Sequence, residues 1–170
     1  MLTSLLLTLG AAASASAGPI LIPRELKEYS ADVELHSSCN ATQQRMLKQA
    51  LGEMNEVTSF AIEYLEHNGA QDQVFTTYFG TEPEAYPTVI GAYKALLSAN
   101  KKGVLIRCDD PDGNCHQDGW RGHYRGENAT TETVICDSSY TDRLFNSAFC
   151  MFGFQLAKDK PSTYWSIDLM

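Results

Sequence analysis

Residues 107–137 read RCDDPDGNCHQDGWRGHYRGENATTETVICD. They hold three of the five cysteines, two of the four histidines and one of the two tryptophans. Turn residues are dense here: Asp110-Pro111-Asp112-Gly113-Asn114, then Gly119, Gly122 and Gly126. Such a run excludes a long helix, because Gly and Pro break the ladder and Asx side chains compete for backbone N–H groups. Cysteines or a metal must hold the segment instead. Its flanks are regular. Val104-Leu105-Ile106 and Thr133-Val134-Ile135 are short aliphatic or β-branched runs, each leading toward a cysteine, and they predict two strands around the turn-rich segment.

The compartment decides between cysteines and metal, and the N-terminus speaks to the compartment. Residues 1–17 carry no charge, run apolar through Leu5-Leu6-Leu7, and close on Ala15-Ser16-Ala17. This is the pattern of a secretory signal peptide cut before Gly18. Its apolar core is shorter than the roughly 20 residues a membrane span needs, and no later segment is long enough either. The expected location is therefore extracellular or at the cell surface or wall. In a reducing compartment Cys108, Cys115, His116 and His123 would make a zinc-site candidate; in an oxidising one, disulfides are favoured. Two N-glycosylation sequons fit the same route: Asn40-Ala41-Thr42 and Asn128-Ala129-Thr130. Five cysteines leave one over.

Residues 18–170 have the length of one domain. The formal net charge of -8 argues against a nucleic-acid phosphate surface. Residues 29–35 alternate as a half-buried strand does. Residues 40–67 carry the strongest helical pattern, with Asn40 as N-cap, Asn68-Gly69 as the stop, and a stripe of Met46, Met54, Val57, Phe60 and Tyr64 read as core. Residues 71–80, 87–100 and 141–156 are expected to be helical, and 164–170 to begin a further helix. The pattern is α+β, mostly helical, with a few short strands.

Four stretches carry a resemblance. His36-Ser37-Ser38-Cys39-Asn40-Ala41-Thr42-Gln43, residues 107–115, Gly126-Glu127-Asn128-Ala129-Thr130 and Val134-Ile135-Cys136-Asp137 resemble the secreted fungal HRxxH-domain family. That family includes allergens, antigens and zinc scavengers, and it is similar to the deuterolysin-type zinc peptidases. The resemblance runs from about residue 33 to 170. It implies the N-terminal part of a zincin-like domain, zinc as cofactor, and extracellular or host proteins as partners. It also implies the pairs Cys39–Cys108 and Cys115–Cys136, which leaves Cys150 unpaired.

The family signature is a helix bearing His-Arg-x-x-His, entered through an aromatic lead like Tyr164-Trp165-Ser166-Ile167-Asp168-Leu169. This sequence has no His-x-x-x-His, so no metal ligand or catalytic residue is carried over. In zinc peptidases a Glu between the two ligands activates water. The signature has Arg there, and a cation takes no proton. Zinc capture is thus the expected role and a deuterolysin-type endopeptidase the alternative, with this chain lacking the metal-binding half. Trp165, Ile167, Leu169 and Met170 are expected to lack packing partners, and Cys150 to pair beyond Met170.

Other motifs are weaker. Residues 109–114 fail the EF-hand spacing and read as a turn. His116 and His123 could meet a metal with Asp112 or Asp118, but read as surface residues, and Trp120 and Tyr124 as loop packing. No Gly-x-Ser-x-Gly elbow is present.

Overall fold

The computed structural model describes residues 33–149, 151, 153–155 and 158–170. The signal-peptide segment, the first part of the predicted 29–35 strand, and Cys150 lie outside the described residues.

The first helix, α1, spans Ala41–Asn68. Its start is fixed by a reciprocal cap. Asn40 Oδ1 accepts the Thr42 and Gln43 N–H groups at 2.9 and 3.0 Å, and Gln43 Oε1 accepts the Asn40 N–H at 2.9 Å. These bonds satisfy donors that the first turn leaves orphaned. Gly69, at φ 77°, stops the helix in a conformation that suits glycine. Two shorter helices follow: α2 at Gln73–Phe79, capped by Asp72, and α3 at Ala85–Ser98.

Four strands form a mixed sheet in the order β1-β2-β4-β3. They are β1 (Glu34–Leu35), β2 (Leu105–Arg107), β3 (Gly122–Tyr124) and β4 (Glu132–Ile135). The β1–β2 and β2–β4 pairs are parallel, and β3–β4 is antiparallel with His123 opposite Val134. The architecture is α+β, as the sequence predicts. The strand β3 was not legible, because it is embedded in glycines. Gly122 is there for space: a Cβ would lie 2.6 Å from the Val134 carbonyl oxygen.

The core joins α1 to the sheet. Leu47, Ala50, Leu51 and Met54 pack with Cys39, Ile106, Ile135 and Trp165. Trp165 is fully buried in this core and Leu169 packs against it, so the expectation that they lack packing partners is corrected. Trp165 opens the short helix α5 (Trp165–Asp168), which packs against α1.

The predicted helix over 141–156 is also corrected. A short helix, α4, covers Asp137–Asp142, and Arg143 is then extended. Leu144 commits its backbone groups to the chain ahead: its N–H donates to the Thr163 carbonyl at 2.9 Å and its carbonyl accepts the Trp165 N–H at 3.0 Å. Glu53 on α1 accepts the Asn146 N–H at 2.7 Å. The apolar spacing suits a helix, but bonds to distant residues outcompete it.

The stripe on α1 is core only in part. Leu47, Ala50, Leu51, Met54 and Leu65 are buried, whereas Phe60 is 60% exposed. With Val57, Tyr64, Val74, Phe75 and Phe79 it lines an apolar groove of about 330 Å3 between α1 and α2. No described helix is long and apolar enough to cross a membrane.

Candidate functional site

The turn-rich segment is held by disulfides and ion pairs together. One disulfide joins Cys39, before α1, to Cys108, after β2. The other joins Cys115 in the loop to Cys136, which caps α4. Asp110 folds the intervening turn by accepting the Asn114 and Cys115 N–H groups at 3.0 and 2.8 Å. The aspartate run therefore forms a turn, as expected.

Asp112 does more. Arg125 grips it through two bonds, Nε to Oδ2 at 2.7 Å and Nη2 to Oδ1 at 3.0 Å. Asn128 Nδ2 donates to Oδ1 at 3.2 Å, and His123 Nε2 lies 3.4 Å from Oδ2. Arg125 also reaches Glu132 at 2.6 Å, and Arg107 bridges Glu132 at 3.2 Å and Asp109 at 2.7 Å. Two guanidiniums thus tie three carboxylates on β4 and the loops into one network. Paired charges favour their ionised forms. Arg125 holds the Asp112 carboxyl at about 2, and Arg107 holds Asp109 well below the usual range. Glu132 is lowered as well, first by Arg125.

The histidines separate. His36 Nδ1 pairs locally with Ser38 Oγ at 2.9 Å, while His67 and His116 are exposed. His123 is not a surface residue: its side chain is 5% exposed, because β3 turns it inward against β4. Its Nδ1 is buried without a hydrogen-bond partner. A ring nitrogen of His123 and the sulfurs of Cys115 and Cys136 lie within 4.8 Å of one another. In the disulfide those sulfurs are not thiolates, which a metal requires.

Beside β3 lies a cleft of about 710 Å3, lined by Trp120, Arg121, His123, Tyr124, Arg143 and Asp168 among others. Trp120 and Tyr124, 40% and 59% exposed, border this cleft while keeping contacts within the loop segment, Trp120 with the His123 ring and Tyr124 Oη donating to the Thr130 carbonyl at 3.0 Å. Arg143, nearly buried, pairs with Asp168 at 2.7 Å, and Arg121 pairs with Asp142 at 2.7 Å. Burial pushes the Asp168 carboxyl up and the Arg143 guanidinium down, against a pairing that favours both charges. Sequence reasoning missed Arg125, Glu132, Arg143 and Asp168. A hairpin pattern could have found the first two, since His123-Tyr124-Arg125 and Glu132-Thr133-Val134 flank a turn. Nothing local marks Arg143 with Asp168.

The sequence matches the profile of the family described as "HRXXH: Putative peptidase family" over residues 11–170. It is 43% identical over 136 residues to "Major allergen Asp f 2" of Aspergillus fumigatus, covering 80% of this chain and 43% of that protein. It is 35% identical over 136 residues to "pH-regulated antigen PRA1" of Candida albicans, covering 80% and 45%. "Protein ZPS1" of Saccharomyces cerevisiae is 34% identical over 138 residues, covering 80% and 54%. The chain therefore spans about half the length of the curated relatives it matches. No solved structure matches it.

Proposed function

The chain belongs to the HRXXH family, and on that premise we propose that it serves outside the cell as part of a zinc-binding surface antigen rather than as a peptidase. The described region is the disulfide-locked scaffold, and the metal is taken by a His-Arg-x-x-His helix of the kind that gives the family its name. Relatives named as antigens and allergens support an extracellular or cell-surface place, and contact with host proteins is part of the same proposal.

One observation carries the choice against peptidase chemistry. Water activation needs a free carboxylate within reach. The carboxylate that lines the large cleft, Asp168, is held by Arg143 at 2.7 Å. Asp109, Asp110 and Asp112 of the neighbouring loop are bound in turn to Arg107, to backbone N–H groups and to Arg125. A guanidinium partner occupies the carboxylate oxygens and blocks approach to water, and at Asp109 and Asp112 it also lowers basicity.

The test is a chimera in which the remaining C-terminal half of the Candida relative follows Met170, beside the oxidised chain alone. Calorimetry should show one-to-one submicromolar zinc uptake by the chimera and weak uptake by the chain. Neither should cleave casein. Cleavage by the chimera that a chelator stops would make the deuterolysin-type reading correct. Tight uptake by the oxidised chain would mean that the scaffold itself holds the metal.

A further inference from the structure

We propose that Cys115, Cys136 and His123 form a metal site gated by reduction. Oxidised, the two sulfurs lock the loop to α4. Reduced, the same sulfurs join the His123 imidazole around a zinc-type cation. This inference goes beyond the reading above and uses none of the residues of a His-Arg-x-x-His helix.

The distances come first. The three donor groups already lie within 4.8 Å of one another. Tetrahedral zinc, with Zn–S near 2.3 Å and Zn–N near 2.0 Å, sets neighbouring donors roughly 3.5–3.8 Å apart. The sulfurs, bonded to each other in the disulfide, need only part to that spacing.

The imidazole comes second. His123 is buried, yet its Nδ1 has no partner. A buried polar atom left unsatisfied is costly, and a metal would satisfy it. Nε2 lies 3.4 Å from Asp112 Oδ2. Metal-bound histidines commonly have the second nitrogen held by such a carboxylate, which fixes the tautomer and the ring.

The scaffold comes third. Each donor is placed by bonds other than the disulfide. Cys136 N–H donates to the Arg121 carbonyl at 2.9 Å, Cys115 N–H to Asp110 Oδ2 at 2.8 Å, and His123 sits in register opposite Val134. The disulfide opens on a pocket of about 350 Å3 lined also by Asp110 and Asp137. That pocket admits a small reductant, and then a water or the Asp110 carboxylate as the fourth ligand. Two thiolates and one imidazole as donors select zinc over calcium or magnesium.

The chemistry balances. Two molecules of a small thiol reduce the disulfide, giving two cysteine thiols and one small-molecule disulfide. Zinc then displaces two protons from the thiols, forming two Zn–S bonds.

Cobalt(II) is the probe, added without air to the full chain after phosphine reduction and desalting. The reduced chain should show thiolate-to-cobalt charge transfer with tetrahedral d–d bands, displaced by zinc. The oxidised chain should show neither. Cys115→Ser with Cys136→Ser should remove the bands while Cys39, Cys108 and Cys150 remain. His123→Gln should weaken uptake by at least the roughly tenfold that even an outer-shell partner is worth. If reduction loosens the fold, cobalt should restore the far-ultraviolet circular dichroism. The proposal is overturned by bands that survive in the double serine variant, by uptake indifferent to His123→Gln, or by no bands in the reduced chain. Any of these leaves the Cys115–Cys136 bond a structural lock only. None of them bears on the chimera's zinc uptake, which is measured oxidised.

Discussion

Trp165→Ala tests whether the end of the described chain belongs to the core. The indole is fully buried, 5.5 Å from the Tyr140 ring, and clustered with Leu47, Ala50, Leu51 and Met54 of α1. Truncating such a residue costs about 3–5 kcal/mol through lost transfer energy and the cavity left behind. One feature pulls the other way: Trp165 Nε1 is buried with no hydrogen-bond partner. An unsatisfied donor costs the native state about 1–3 kcal/mol, and the substitution removes it. The expected loss is therefore in the lower half of the range, about 3 kcal/mol. With a urea slope of about 2 kcal/mol per molar, the midpoint falls by about 1.5 M. Trp165→Phe removes the orphan donor while keeping most of the ring, so it should cost less than half as much. Trp120→Ala, at an exposed site, should stay within about 0.5 kcal/mol. Urea melts followed by far-ultraviolet circular dichroism give all three values. A loss below about 1 kcal/mol for Trp165→Ala would refute the docking of α5 on α1. Equal losses for the Phe and Ala variants would refute the argument from the orphan donor.

Three further outcomes follow from other parts of the molecule. Replacing Cys115 and Cys136 by Ser should cost about 3 kcal/mol in thermal melts, and replacing Cys39 and Cys108 about 4, because sequence separations of 21 and 69 close loops of different size; the reverse order would refute the chain-entropy reasoning. Stability should fall in acid: Asp112 drops from its ordinary 3.8 to about 2 on folding, so its contribution is full above pH 4 and is lost as pH falls through 2; Arg125→Gln should flatten that limb of the melting curve against pH, and an unchanged limb would mean the network does not form in solution. Gly122→Ala should destabilise by about 1–3 kcal/mol, since its Cβ meets the Val134 carbonyl at 2.6 Å, while Gly52→Ala, with open space on exposed α1, should stabilise by about 1 kcal/mol; calorimetric melts showing the same sign for both would be incompatible with the β3–β4 contact.

The sequence by itself determined what depends on near neighbours. Asn40 with Gln43 marks the start of α1, and Gly69 its end, because caps and stops are bonds within a few residues. The runs before Cys108 and Cys136 read as β2 and β4 for the same reason. The motif resemblance reached the family and the α+β class. Tertiary structure alone decided what depends on distant partners. The chain after Asp142 satisfies a helical spacing, yet Leu144 bonds residues 163–165, so the long helix is lost and Trp165 gains a core to enter. His123 looks like a loop residue until β3 pairs with β4 and turns it inward beside Asp112 and the disulfide. Arg143 and Asp168 are 25 residues apart, and only the fold closes their contact at 2.7 Å. A local pattern states what a segment can satisfy by itself; burial and ion pairing are properties of two segments brought together.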